Sequence, residues 1–313
     1  MIRADNLTKK FGDRTAVDHL SFEIPRGQVV GFLGPNGAGK TTTMRLLTAF
    51  FPPDEGRAEL MGQDVSLHSL DVRRRLGYLP ENNPLYDDCE VTDSLHLNAI
   101  LRGLCEPADR MRRVKTVIKT CGLLSEIGKK VGELSKGYRQ RLGLAQAIIH
   151  DPDVLILDEP TSGLDPNQVQ EVRGLISELK KEKTLLLSTH ILSEVTATCD
   201  RAIIISDGKI VADGAPDDLA GHLQRKNRLY VELKGPGSAV EEEFKKIEGL
   251  AAIKRQKLPG SHEEGFVLES DAARDLREEV FNVATKNRWP ILALRQDRLS
   301  LEEVFRTLTL SHD

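Results

Sequence analysis

Gly34-Pro35-Asn36-Gly37-Ala38-Gly39-Lys40-Thr41 decides the fold, because it satisfies G-x-x-x-x-G-K-[ST] without a mismatch. The glycines let the backbone curl until several N–H groups point inward at a phosphate. Lys40 adds a positive charge toward β- and γ-phosphates, and the Thr41 hydroxyl is suited to Mg²⁺. The helix opening at Lys40-Thr41-Thr42 contributes its positive N-terminal end, so Gly34 to Thr42 are candidate nucleotide-binding residues. With glycine at about 7% of residues, a chance match arises in roughly one such chain in a hundred. The context the loop needs is also present: an apolar strand, Gln28 to Leu33, before it and a helix, Lys40 to Ala49, after it.

Outward from this loop, short β-branched runs alternate with helical patterns over the first 220 or so residues, the mark of an α/β fold with a parallel sheet. Val154 to Leu157 and Thr184 to Ser188 read as buried strands. Arg201 to Ser206 ends at the hairpin signal Asp207-Gly208, and Lys209 to Ala212 returns. Asp165 and Pro166 open a helix reaching Lys180, as cap and first residue. Composition shifts near Gly221 to Asn227. Strands from Arg228, Ala251, Gly265 and Ile291, with helices from Ser238 and Ala272, then predict the β-α-β-β-α-β order of a ferredoxin-like α+β domain. Ser300-Leu-Glu-Glu303 opens a last helix with capping-box spacing. The expected domains are therefore residues 1–222, which bind nucleotide, and 223–313, an accessory or regulatory domain.

Asp158 closes an apolar strand, where a carboxylate is costly unless it meets a cation, so it is a candidate magnesium ligand. Glu159, one residue on, is placed to orient or deprotonate an attacking water. The competing reading of the pair is the start of a surface loop, which the neighbouring phosphate loop makes the weaker one.

These motifs, taken in order, resemble those of ABC transporter ATP-binding subunits over about residues 1–220. Leu134-Ser-Lys-Gly-Tyr-Arg-Gln-Arg141 looks like the signature sequence, Ser162-Gly-Leu-Asp-Pro166 like the D-loop, and His190 like the switch histidine. The resemblance implies a P-loop NTPase domain of ABC type with a helical signature subdomain, working as an ATPase with ATP and Mg²⁺. It implies that Lys40, Glu159 and His190 are catalytic, that Phe11 stacks on the base, and that Thr41, Glu81 and Asp158 serve the metal. It also implies that Ser135, Lys136 and Gly137 meet the γ-phosphate held by a second copy. Ser135 suits this on its own chemistry, since it can cap a helix whose free N–H groups face an anion. An ordinary capped helix is the competing reading.

Three departures stand out. Glu81 replaces the family glutamine, Tyr138 replaces the signature glutamine, and Lys136 replaces a glycine. Lys136 has two readings, added charge near the phosphates or a side chain in solvent. These variants occur in the ABC-2 export type, including gliding-motility subunits, which favours export. Phe11 has a core-packing reading beside stacking, and stacking alone leaves GTP open. Residues 82–104 resemble the region that grips the permease's coupling helix, and packing within the helical subdomain is the alternative.

A net charge of -4 gives no nucleic-acid footprint, so no nucleic acid is expected as a partner. The four cysteines lack CxxC or zinc spacing and imply unpaired thiols in a reducing compartment. The apolar runs are too short to span a bilayer. The expectation is a cytoplasmic protein, peripheral on the inner face of the membrane through an integral membrane permease. The first rival is a soluble ABC ATPase of DNA repair or translation; the single P-loop and the lack of a coiled-coil or zinc insertion argue against it. A non-catalytic nucleotide sensor is the second, opposed by Lys40, Asp158, Glu159 and His190. The tail, Ser300 to Leu308, resembles the ABC-2 C-terminal extension. The transported substrate is not legible.

Overall fold

Five apolar residues in a row, Val29–Leu33, leave no polar face, and every one of them is buried. Such a strand belongs in the middle of a parallel sheet covered on both faces. The computed structural model places it there; it describes residues 1–222, 228–257, 264–270, 274–297 and Phe305. The six-stranded sheet runs Lys209–Gly214, Arg201–Ser206, Val29–Leu33, Thr184–Thr189, Val154–Asp158, Leu76–Leu79. All neighbours are parallel except the first pair, the hairpin turned at Asp207-Gly208.

A second, antiparallel sheet joins Arg14–Ile24, Ile2–Phe11, Glu55–Leu60 and Gln63–Asp64. Its apolar face shares one core with the first sheet, and the helix Lys40–Leu47 buries Met44, Leu46 and Leu47 in that core. The helix following the phosphate loop is thus held by packing on its far side while its N-terminus stays at the sheet's carboxyl edge. Helices Val91–Leu101, Pro107–Thr120 and Lys136–Ile148 pack on one another as a helical subdomain.

The chain divides into two compact units, one covering residues 1–216 and another beginning at Asp217. The second has its own core of Val231, Leu233, Val240, Phe244, Phe266 and Leu268. Its strands Arg228–Leu233, Leu250–Lys257, Glu264–Ser270 and Ile291–Asp297 lie in the order second, third, first, fourth, with every adjacent pair antiparallel. With helices Gly237–Phe244 and Arg277–Lys286 this is the ferredoxin-like arrangement that the element order predicts. The helix that the pattern predicts over Ser238–Gly249 ends at Phe244, and Gly249 takes φ 86 in the turn that leads to the next strand. The helix expected from Ser300 lies outside the described residues.

All four cysteines are free. Burial pushes the thiols of Cys121 and Cys199 up to about 12, so both pack as small apolar side chains. Among the described residues no helix is long and apolar enough to cross a membrane.

Candidate functional site

A cleft of about 520 Å³ opens at the carboxyl edge of the central sheet, the position open α/β sheets use for ligands. Phe11, Arg14, Asn36, Lys40, Thr41, Thr42, Glu81, Glu159, Ser162 and His190 contribute to its wall. The loop can curl here only because of its glycines. Gly39 holds φ 104, and a Cβ on it would stand 2.3 Å from the Ala16 carbonyl oxygen. Gly34 is equally constrained by proximity, since a Cβ would lie 2.6 Å from the Ile205 oxygen. The loop is fastened from outside by the hairpin turn, whose Gly208 N–H donates to the Ala38 carbonyl at 3.0 Å.

Lys40 is buried, and its ammonium donates to the carbonyls of Gly34 at 2.8 Å and Pro35 at 3.2 Å. It also stands 3.3 Å from Glu159 Oε1. Glu159 Oε2 meets His190 Nδ1 at 2.9 Å. The three groups that the sequence assigns to catalysis therefore form one connected chain, Lys40–Glu159–His190. Glu159 adopts φ 49, an uncommon conformation for a side-chain-bearing residue, and its N–H is held by Ser188 at both Oγ (3.0 Å) and the carbonyl (3.2 Å). That turn aims the carboxylate away from the strand axis and into the cleft.

Asp158 is fully buried at the strand end. Its Oδ1 accepts from Ser188 Oγ at 2.5 Å and from Thr41 Oγ1 at 3.3 Å. Its Oδ2 has no hydrogen-bond partner among the described residues. A buried carboxylate oxygen left without a partner is expensive, and beside a threonine hydroxyl it fits a hard divalent cation.

Phe11 is half exposed on the cleft wall, its ring edge-on to Phe51 at 5.8 Å. It is neither in the core nor wholly free. Glu81 lines both this cleft and an adjoining groove with Thr41, Tyr78, Asn83, Asn98 and Arg102. Burial pushes the Tyr78 phenol up to about 12, helped by the Asp158 carboxylate, so the groove presents a neutral hydroxyl there. The groove shares residues with the 82–104 segment, although that segment also packs within the helical subdomain.

Ser135, Lys136 and Gly137 stand apart from the wall of the cleft. Ser135 caps the helix Lys136–Ile148 by accepting from the Tyr138 N–H at 3.4 Å. Lys136 runs along the D-loop of its own chain, where a Cβ on Gly163 would meet its Nζ at 2.0 Å. Tyr138 stacks with the Arg141 guanidinium at 5.3 Å, and Arg141 pairs with Glu171 on the helix Pro166–Leu179. Sequence reasoning missed Arg14, whose guanidinium donates to the Gly37 carbonyl at 3.0 Å, and Ser188. Arg14 carries no motif signal. Ser188 could have been found as the residue level with Asp158 on the next parallel strand.

Residues 17–162 match the family profile described as ABC transporter. The bacitracin transport ATP-binding protein BcrA of Bacillus licheniformis is 39% identical over 236 residues, 75% of this chain and 74% of that protein. The Nod factor export ATP-binding protein I of Burkholderia lata is 40% identical over 215 residues, 68% of this chain and 70% of that one. Among solved structures, cbiO1 of Clostridium perfringens, part of the ABC transporter complex cbiONQ, superposes with a TM-score of 0.64. Its sequence is 26% identical, with 71% of this chain and 91% of that chain covered.

Proposed function

This chain belongs to the ABC transporter family of ATP-binding subunits, and from that premise we propose that it hydrolyses Mg-ATP between two copies of itself to drive export through a separate membrane permease. The observation that carries the reading is the connected set Lys40–Glu159–His190 at the mouth of the phosphate loop. A γ-phosphate in the loop competes with Glu159 for the Lys40 ammonium, and the carboxylate so released serves as base toward a water. His190, fixed by Glu159, donates to the same phosphate.

Thr41, Asp158 and Glu81 would hold a magnesium ion here. The ion neutralises charge on the phosphates when bound. The helix at Ser135 faces the ATP of the second copy. A charge-assisted hydrogen bond nets only about 1.5–3 kcal/mol, so closure needs several contacts to one phosphate and is lost when that phosphate leaves. The permease, the inner-face location and the export direction rest on the transport and export functions named for the relatives, together with the groove beside the cleft. The second unit is assigned an accessory role.

The reading is tested with Glu159→Gln. Loss of one preorganised catalytic group lowers turnover by about 10²–10³, while ATP affinity stays near that of the native chain and an ATP-dependent dimer accumulates on gel filtration. Near-native hydrolysis by this variant defeats the assignment of the base.

A further inference from the structure

Behind the Glu159–His190 pair lies a carboxylate with no part in the chemistry above. Glu194, on the helix Leu192–Thr198, is only 3% exposed. Its Oε1 accepts from the Thr161 hydroxyl and its Oε2 from the Thr189 hydroxyl, the latter at 2.8 Å. Thr189 Oγ1 accepts in turn from the Ile191 N–H at 3.0 Å, closing the backbone around His190. Arg173 of the helix Pro166–Leu179 brings its Nη2 to 3.9 Å from Oε1.

The threonines matter because of where they stand. Thr161 is two residues past Glu159, and Thr189 is one residue before His190. One buried side chain therefore ties the turn that carries the base to the turn that carries the histidine, and both to the helix that follows the D-loop. If the position only filled space, an apolar residue would serve at less desolvation cost. A carboxylate with two fixed oxygens instead sets the separation of two hydroxyls, and so of the backbones bearing them.

We propose that Glu194 is a positioning residue, bridging Thr161 and Thr189 so that Glu159 and His190 keep their mutual geometry through turnover. The proposal rests on the roles given to Glu159 and His190 above. A misplacement of about 1 Å at a reacting group can cost on the order of 10²-fold in rate.

The experiment uses the full chain with Glu194→Ala, Glu194→Gln, Thr161→Val and Thr189→Val, each alone and combined with His190→Ala. Valine keeps the shape of threonine without its hydroxyl, so the threonine variants report on the bridge even if Glu194→Ala folds poorly. Thr189→Val and Glu194→Ala should lower kcat by about tenfold or more with KM for ATP within about twofold. Glu194→Gln should retain most of the rate, because its amide can accept from one hydroxyl and donate to the other. On the His190→Ala background Thr189→Val should have no further effect, the signature of residues acting as one unit. Equal proportional losses in both backgrounds, in step with a lower Tm, or an unchanged kcat throughout, would overturn the bridge. If His190→Ala and Glu159→Gln themselves turn over ATP normally, the site reading fails first and the bridge falls with it.

Discussion

Gly39 shows how a single position can be fixed by both strain and space. At φ 104 it sits where an alanine is strained by about 1–3 kcal/mol. A Cβ there would in addition meet the Ala16 carbonyl oxygen at 2.3 Å, a backbone atom rather than the movable end of a side chain. Gly12 offers the internal comparison, since it too has positive φ, 58, yet open space where a Cβ would go. Gly39→Ala should therefore abolish binding of a fluorescent ATP analogue and lower Tm by several degrees. Gly12→Ala should bind normally with a small loss of Tm. Equal behaviour of the two variants would show that the close approach to Ala16 has no bearing on the cradle.

At the scale of elements, two helix starts illustrate different uses of one device. Asp165 caps the helix Pro166–Leu179 with two 3.0 Å bonds, from Asn167 N and Gln168 N, and Gln168 completes a capping box. Ser135 caps the signature helix with one bond of 3.4 Å. Loss of a helix cap costs about 0.5–2 kcal/mol. Asp165→Ala should fall toward the upper end of that range and Ser135→Ala toward the lower. Thermal unfolding measures the difference. On the proposed function, ATP turnover should show a deficit for Ser135→Ala out of proportion to its stability loss, because the N–H groups of that helix would meet the phosphate of the second copy.

The elements were largely legible because their causes are local: apolar runs, caps, and a glycine-rich loop between a strand and a helix. The alternation beyond residue 228 predicted even the ferredoxin-like order, since connection lengths there leave few other topologies. What escaped were contacts made across the sheet. Ser188 braces Asp158 from the adjacent strand, Arg14 reaches Gly37 across the loop, and Glu194 joins two turns nearly thirty residues apart in sequence. Arg14 and Glu194 are ordinary polar residues in a strand and a helix, without spacing or motif to mark them, and Ser188 is marked only by its register with Asp158 on the adjacent strand. Lys136 was ambiguous for a related reason. Whether it faced solvent or phosphate depended on the D-loop at Gly163, which only folding brings alongside.

At the scale of the whole molecule, the cleft contains the phosphate loop, Glu159 and His190 but not Ser135, Lys136 and Gly137, which stand apart from its wall. In the proposed two-fold dimer the cleft of each copy faces the signature helix of the other, which would complete both sites and make them separable by mutation. On that proposal Lys40→Ala destroys the cradle of its own chain, and Ser135→Glu sets a negative charge against the partner's γ-phosphate. Each variant alone forms dimers with two defective sites. When the two are mixed, random pairing makes about half of the dimers mixed, and in each of those one site has both defects while the other has neither. The mixture should therefore recover up to about a quarter of native ATPase activity, provided that one intact site suffices for a turnover. The recovery should fall as one variant is made to outnumber the other. Activity no greater than the sum of the separate variants at every mixing ratio would mean that the signature helix does not act on the partner's nucleotide, or that both sites must fire together. A covalently linked pair with one native and one doubly defective site separates those causes, because only the second leaves that pair able to bind ATP across an intact interface.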